Sequence, residues 1–172
     1  MLDSTKSYSG LIAVAFWGTN AVRLLKPVTG LEDTKTNISP PTLPSLPRSI
    51  LLHNFGFGTS SKGADYRPFV IAGLADGTIA CFAIKDDELR DLKMFPLGTA
   101  PVSLTSCSVD GKRAVFANGS LSSVLYWDKQ RLRQSHVMVK VSCSLSTTSL
   151  SAHSFCHAGC RCWCELQLHG IR

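Results

Sequence analysis

The chain has 172 residues, 44% of them hydrophobic, so it is long enough for one ordinary domain with an apolar core. Its formal net charge is +6, but charged residues make up only 17% and are scattered, which argues against a dedicated nucleic-acid-binding domain. No segment reaches the roughly 18 unbroken apolar residues that a membrane helix needs, so we expect no membrane partner.

The first part of the chain predicts strands on either side of a proline-rich loop. Two β-type runs at residues 10–17 and 21–25 are separated by Gly18-Thr-Asn20, a connection of hairpin length. Residues 27–47 hold five prolines among Thr, Ser and Asn, a composition that cannot sustain a regular ladder of strand hydrogen bonds. We therefore expect a surface loop there, followed by a strand at residues 50–55.

The segment 69–109 is the most informative part of the chain. Its two β-rich runs on either side of Asp76-Gly77 predict a hairpin, since both residues of this dipeptide readily take positive φ at the centre of a turn. Strands are also expected before and after the corner at residues 96–101, which has a proline at each end. Together these features predict three strands and two tight turns of one β-propeller blade.

Further β-type runs follow in quick succession. Asp110-Gly111 and Asn118-Gly119 predict tight turns, and strands are expected at residues 113–117, 123–127 and 132–141. About ten short strands and no sustained 3.6-residue periodicity indicate an all-β fold.

These patterns divide the chain into three parts. A propeller blade takes roughly 40 to 45 residues, and a closed ring takes about four to eight blades. We therefore expect an N-terminal extension at residues 1–9, a partial β-propeller of about three blades at residues 10–141, and an irregular tail at residues 142–172.

The C-terminal tail is rich in serine and cysteine and has no hydrophobic periodicity. Val141-Ser142, at the start of the tail, can be encoded by GTAAGT, the favoured 5′ splice-donor hexamer. We therefore expect a tail that is disordered or read through from a retained intron. Its candidate zinc ligands are Cys156, Cys160, Cys162 and Cys164. They form one continuous run instead of two separated pairs, so we predict no metal site.

Several polar side chains in the predicted strands invite a functional interpretation. The densest basic cluster contains Lys129, Arg131, Arg133 and Lys140, with Asp128 beside them, and we favour a solvated strand edge over a phosphate-binding stripe. His53 and His136 lie in predicted strands with no acid or nucleophile placed nearby. We therefore predict no catalytic residue.

Three aromatic residues also lie in β-type runs. They are Trp17, Tyr126 and Trp127. Because aromatic side chains in strands usually pack against neighbouring strands, we expect them to pack between blades and not to form a platform on which nucleic-acid bases stack.

The order and spacing of several motifs resemble one known family. The motifs are Leu11-Ile-Ala-Val-Ala-Phe-Trp17, Ala21-Val-Arg-Leu-Leu25, Pro47-Arg-Ser-Ile-Leu51, Ala72-Gly-Leu-Ala-Asp-Gly-Thr78, Pro96-Leu-Gly-Thr-Ala-Pro-Val-Ser-Leu104, Val115-Phe-Ala117 and Ser123-Val-Leu-Tyr126. Over residues 10–140 the chain resembles the middle propeller of the large subunits of the UV-damaged-DNA-binding protein, splicing factor 3b and the polyadenylation-specificity complex. Pro47-Arg-Ser and Leu97-Gly-Thr-Ala-Pro101 point to the DNA-repair adaptor among these.

The resemblance implies a truncated part of a non-catalytic nuclear scaffold. In the repair branch of this family, the subunit is the adaptor of a cullin-RING ubiquitin ligase that acts in DNA-damage recognition and nucleotide excision repair. The middle propeller docks the cullin, the other two propellers hold substrate receptors, and nucleic acid is bound through the full-length complex. The resemblance implies no enzyme activity, cofactor or small-molecule substrate. The alternative is an RNA-processing scaffold of the splicing or polyadenylation type.

Overall fold

The computed structural model describes residues 10–27, 31–33, 42–57, 65–86, 88–141 and 164–168. These residues form twelve β-strands and their connections. None of these ranges contains a helix, and so none contains a helix that could cross a membrane. The predicted all-β class is confirmed.

The strands form three antiparallel sheets. The first contains β1 (Ile12–Phe16), β2 (Ala21–Pro27) and β3 (Leu31–Asp33), in that order. The second contains β4 (Pro47–Asn54), β5 (Pro68–Leu74), β6 (Thr78–Lys85) and β7 (Glu88–Pro96). The third contains β8 (Ser103–Val109), β9 (Lys112–Asn118), β10 (Ser122–Asp128) and β11 (Arg131–Val141), with β12 (Cys164–Leu168) beside β11. Three sheets of about four strands agree with the predicted three blades.

The first sheet begins at the second strand position of a blade. The Leu43 amide donates a hydrogen bond to the Asn20 carbonyl (2.9 Å) in the β1–β2 turn. In the same way, the Leu97 amide donates to the Gly77 carbonyl (2.8 Å) in the β5–β6 turn. β1 therefore corresponds to β5, and β4 corresponds to β8, which lies beside it. In the described residues the first sheet shows the last three strands of a blade.

The two inner strands of the second sheet, β5 and β6, are buried on both faces. Val70 packs in an apolar cluster with Leu24 of the first sheet, whereas Phe69 and Ile71 pack in a cluster with Leu125 of the third. Successive residues of a strand point to opposite faces, so β5 supplies side chains to both clusters. A strand buried on both faces needs apolar residues at every position, which explains the unbroken apolar run of β5.

The prediction that residues 69–109 form one blade is wrong, because β8 belongs to the third sheet. The chain leaves β7 after Pro96 and crosses to the third sheet. Just before β8, the Val102 amide donates a hydrogen bond back to the Leu74 carbonyl at the end of β5 (3.1 Å). The two-proline corner is therefore a crossover between blades, and the segment contains four strands.

The predicted loop at residues 27–47 contains a strand, which is a second correction. β3 pairs with β2, and Lys26 lies opposite Glu32. No proline occurs between Pro27 and Pro40, so the residues of β3 keep the amide groups that a strand ladder needs. Residues 34–41 lie outside the described part of the chain.

The two Asp-Gly turns differ in form. Asp110 and Gly111 both have positive φ, 50° and 71°, as a two-residue hairpin turn between β8 and β9 requires. In the β5–β6 turn Gly77 has a φ of 86°, and the Asp76 carboxylate accepts a hydrogen bond from the Thr78 amide (2.9 Å). That turn has three residues, so the predicted hairpin is confirmed but its two-residue form is not.

Five residues of the predicted irregular tail form a strand. β12 pairs antiparallel with the end of β11, and Cys164 lies opposite Val141. The prediction of a tail without regular structure is therefore wrong for Cys164–Leu168. The other residues of 142–172 lie outside the described part, so a disordered or read-through tail stays a prediction.

Replacement of Gly77 tests the contact between the β5–β6 turn and the crossover. Gly77→Ala should lower the free energy of unfolding by at least about 2 kcal/mol, since a left-handed backbone is strained for a residue with a Cβ. The added Cβ would also lie 2.2 Å from the Gly98 carbonyl oxygen. Urea unfolding of the full chain measures the loss.

Two other glycines separate the backbone cost from the clash. Gly111 also has a positive φ, but nothing lies within 4 Å of a Cβ added there, so Gly111→Ala should cost only about 1–2 kcal/mol. Gly18→Ala has neither problem and should be neutral within about 0.5 kcal/mol. Equal losses at Gly77 and Gly111 would contradict the close contact with Gly98.

Candidate protein-docking surface

One end of the three sheets gathers turns and linkers into an ordered surface. The β1–β2, β5–β6 and β9–β10 turns lie there with the linkers at residues 42–46 and 97–102. Ser120 fixes the second linker, because its Oγ accepts hydrogen bonds from the amides of Thr99 (3.0 Å) and Ala100 (2.8 Å). We call this end the linker face. Its backbone is held on both sides of each crossover.

Trp17 is the most exposed large hydrophobic side chain of the linker face. It is 63% exposed and lies in the turn that follows β1. The guanidinium of Arg48, at the start of β4, lies 5.6 Å from the centre of the Trp17 ring. The neighbouring Phe16 ring has the guanidinium of Arg23 over it at 5.4 Å. Two adjacent aromatic residues are thus each covered by a cation.

The prediction that Trp17 packs between blades is wrong. Trp17 follows the last residue of β1, so its side chain leaves the sheet instead of joining the apolar cluster between sheets. The same prediction is confirmed for Trp127, whose ring lies 5.9 Å from that of Phe69 in the second sheet. It is not confirmed for Tyr126, which in the described residues is partly buried against an apolar cluster made only of third-sheet residues.

The linker face has the chemistry of a protein interface. Tryptophan and arginine are the residues most enriched at the energetic centres of such interfaces. Leu46 and Leu121, which are 42% and 55% exposed, extend the apolar surface along the same face. Arg23 and Arg48 add positive charge. The surface is therefore suited to a protein segment with apolar and acidic side chains.

The basic cluster at the β10–β11 hairpin lies at the opposite end of the sheets. Lys129 and Arg131 are exposed in and beside this turn. Arg133 Nε lies 3.2 Å from Asp128 Oδ2, so one of the cations is already paired. The side chain of Lys140 is outside the described part of the structure. These contacts agree with a solvated strand edge better than with a phosphate-binding stripe.

Comparison with known proteins assigns the chain to a family. Residues 2–161 match the RSE1/DDB1/CPSF1 second beta-propeller. The chain belongs to this family. DNA damage-binding protein 1 of Oryza sativa subsp. japonica is 33% identical over 142 residues, which are 81% of this chain and 12% of that protein. DNA damage-binding protein 1b of Arabidopsis thaliana is 30% identical over 141 residues, which are 81% of this chain and 12% of that protein. DNA damage-binding protein 1 of Drosophila melanogaster is 29% identical over 141 residues, or 81% of this chain and 11% of that protein.

The match confirms a DDB1-like second-propeller fragment and extends its range. It continues to residue 161, past Lys140, where the motif resemblance ends. The chain spans 12% of the length of the rice relative, so the activities and partners of the whole relatives reach this chain only as proposals.

The two histidines of this DDB1-like chain join neighbouring strands. His53 Nδ1 lies 3.2 Å from Ser106 Oγ, which links β4 to β8, and His136 Nδ1 lies 3.0 Å from Ser123 Oγ, which links β11 to β10. Within the described ranges neither ring contacts a carboxylate that could orient it as a base. Ser123 is also fully buried. The serine–histidine pairs therefore have the geometry of strand contacts.

The cysteines are placed apart from one another in the described residues. Cys81 and Cys107 are free thiols in different strands, and burial raises the pKa of both. Among the tail cysteines Cys164 begins β12, whereas Cys156, Cys160 and Cys162 lie outside the described part. No group of three or more metal-ligating side chains occurs in the part that is described. The absence of a tail metal site stays a prediction.

Sequence reasoning missed the contact between Trp17 and Arg48, because the two residues belong to different sheets. One signal was present. Trp17 directly precedes Gly18 in a predicted turn, and an aromatic residue at a turn is less protected by neighbouring strands than one inside a strand.

His53 generates a prediction about acid stability. Burial is the main cause that lowers the pKa of its ring from 6.5 to about 4, and its Nε2 is buried without a hydrogen-bond partner in the described residues. Between pH 6.5 and about pH 4 the His53 ring is mostly protonated in the unfolded chain but mostly neutral in the folded chain. This residue should therefore remove about 2 kcal/mol of stability between pH 7 and pH 5.

Urea unfolding at pH 7 and pH 5 checks this expectation. His53→Gln should lose the corresponding part of the pH dependence, whatever its effect on stability at pH 7. His136→Gln, at an exposed histidine, should keep it. An unchanged pH dependence in His53→Gln would show that the ring is not the group that titrates.

The metal content of the purified full chain tests the tail cysteines. We expect no stoichiometric zinc after dialysis, because four thiols in one continuous run have no intervening fold to bring them to a tetrahedral centre. Elemental analysis gives the metal-to-protein ratio. One retained zinc per chain, lost in the double variant Cys160→Ser and Cys162→Ser, would establish a site.

Proposed function

We propose that this chain is a non-catalytic docking module of a DDB1-type scaffold, and that its linker face binds another protein. The observation that carries the proposal is the exposed Trp17 ring beneath the Arg48 guanidinium. A partner that covers this pair removes a large aromatic surface from water and gains a cation–π contact that strengthens on desolvation.

The second sheet supports this function by holding the surface in place. Arg48 belongs to β4, whose neighbour β5 is buried on both faces, and Trp17 is held by the turn whose Asn20 carbonyl accepts from Leu43. A rigid surface loses little conformational entropy on binding, so more of the contact energy contributes to affinity.

The finer assignment is the adaptor of a cullin-RING ubiquitin ligase in DNA-damage recognition and nucleotide excision repair. In the family that the sequence resembles, the middle propeller docks the cullin, so the partner that we assign to the linker face is a cullin scaffold. Substrate receptors and damaged DNA would then be bound by the full-length complex, in the nucleus. The dispersed basic side chains of this part agree with a propeller that does not itself bind DNA strongly.

An RNA-processing scaffold of the splicing or polyadenylation type is the alternative, since the family model spans all three kinds of subunit. The relatives described above are named DNA damage-binding proteins, which favours the repair adaptor. Identification of the captured partner separates the two.

Substitution of Trp17 tests the docking surface. Binding of a purified cullin to the immobilised full chain should weaken by at least about tenfold in Trp17→Ala, because truncation of an interface tryptophan commonly costs 2 kcal/mol or more. Arg48→Glu should weaken binding to a similar extent. Docking surfaces on propellers are composite, so the wild-type affinity of three blades is expected to be modest. Biolayer interferometry at high cullin concentration measures it.

Phe57 provides the matched control. It is 60% exposed at the opposite end of β4, and the Arg113 guanidinium lies 5.9 Å from its ring centre, so Phe57→Ala removes a similar pair from the other face. Equal loss of cullin binding in Phe57→Ala and Trp17→Ala would overturn the assignment of the linker face. Capture of a splicing or polyadenylation subunit in place of the cullin, still sensitive to Trp17→Ala, would keep the surface and change the partner.

A further inference from the structure

A groove opens between the second and third sheets at the end opposite the linker face. Its volume is about 580 Å³, and it lies between the β10–β11 turn and the region where β5 starts and β6 ends. Clefts that bind small molecules or single side chains of a partner have volumes of about 300–1,000 Å³. The groove is separate from the Trp17 surface, so a ligand here goes beyond the proposed function.

The floor of the groove is aromatic and fixed. Trp127 lies against Phe69, with ring centres 5.9 Å apart, and the Arg67 guanidinium covers the Trp127 ring at 5.2 Å. The Arg67 amide donates a hydrogen bond to the buried Asn54 side chain (2.9 Å), and its guanidinium pairs with Asp65. These contacts hold the floor in one arrangement before any ligand arrives.

One wall of the groove is apolar and cationic. Leu92 is 41% exposed on β7, next to the exposed Lys93, which has no ion pair in the described part of the chain. Lys85 Nζ lies 2.6 Å from Asp91 Oδ2, and both side chains are more than half exposed. An exposed ion pair contributes little stability, so an incoming carboxylate can replace Asp91 at Lys85 at small cost.

Charge complementarity selects the ligand. The side chains that line the groove include three cations, Arg67, Lys85 and Lys93, against the single carboxylate of Asp91. Lys129 and Arg131 are exposed next to the lining residue Gln130. Of the nearby carboxylates, Asp65 is paired with Arg67 and Asp128 with Arg133, and Asp86 is exposed in the β6–β7 turn. The groove therefore favours an anionic ligand.

The aromatic floor argues against a nucleic acid as that anion. Single-stranded nucleic acid binds aromatic platforms by stacking its bases on an open ring face. Here Arg67 occupies the face of Trp127, and Phe69 is buried against the ring. What stays available is the exposed Leu92 beside Lys85 and Lys93, a combination that fits an apolar side chain with carboxylates on either side of it.

We propose that this groove binds a short acidic peptide segment of a partner protein, with one large apolar side chain inserted against Leu92 and Trp127. The carboxylates of the peptide pair with Lys85 and Lys93. The ligand is held by one apolar contact and two charge contacts on a fixed floor, which gives it a defined orientation.

Fluorescence polarisation with the full chain tests the proposal. The probe is a labelled peptide with Leu-Phe at its centre and acidic residues on both sides. Lys93→Glu should weaken its binding by about tenfold, and Leu92→Ser by about fivefold, while circular dichroism stays unchanged. If Lys93→Glu does not fold, Lys93→Gln supplies the loss of charge. Peptides with Ala-Ala at the centre, or with Gln in place of the acidic residues, should bind at least about fivefold more weakly.

Two matched variants give the test its specificity. Lys112→Glu makes the same charge reversal at an exposed lysine of the same end that does not line the groove, and it should change binding by less than about twofold. Arg48→Glu, on the linker face, should also leave peptide binding unchanged, so failure here and failure of the docking proposal are distinguishable. Three outcomes would each overturn the proposal. They are equal losses for Lys93→Glu and Lys112→Glu, no saturable binding of the peptide, and binding of a labelled oligo-dT that is tighter than that of the peptide and is weakened by Lys93→Glu.

Discussion

Burial of β5 and β6 between the first and third sheets is the constraint on which both ends of the molecule depend. β5 and β6 send alternate side chains into two different apolar clusters, so a slip of one residue in either strand would exchange the side chains of the two interfaces. Phe69 and Val70 differ in volume and occupy different clusters, which makes such a slip costly. The register of these strands fixes the turns at one end and the floor of the groove at the other.

The crossovers between sheets transmit this register to the linker face. Leu43 and Leu97 are both buried, and each donates its amide to the turn of the preceding sheet. Because the leucine side chain must be buried and its amide must be hydrogen-bonded at the same time, the linker can contact the turn in only one arrangement. The placement of Trp17 beside Arg48 follows from the first of these crossovers. Trp17 lies in the turn whose Asn20 carbonyl accepts the Leu43 amide, and Arg48 is the second residue of β4, the strand that follows the crossover.

The structural features that could be predicted from the sequence are those that depend only on residues adjacent along the chain. The hairpin at Asp110-Gly111 was predictable because the turn type requires positive φ at both positions, and the apolar run of β5 was predictable as a strand. The membership of β8 in the third sheet was not predictable from its own residues, since a proline corner marks a bend without saying which sheet the chain enters next. For the same reason the exposure of Trp17 escaped prediction. The residue type predicts only the average burial of a tryptophan. Trp17 is exposed because β1 ends one residue before it.

An arginine lies over a tryptophan ring at each end of the molecule, but the two pairs differ in how accessible the ring is. At the linker face Arg48 lies over a tryptophan that is mostly exposed, so a partner can cover or displace the guanidinium and use the ring. In the groove Arg67 lies over a tryptophan packed against Phe69 and is itself paired with Asp65, so the ring is a fixed floor and not a contact that a ligand can rearrange. The seven residues of β5 separate the two ends by about 20 Å, which is beyond the screening length of their charges at physiological salt. The charges at one end therefore have little effect on a ligand at the other, so a charge reversal at one of the two proposed sites should leave binding at the other unchanged.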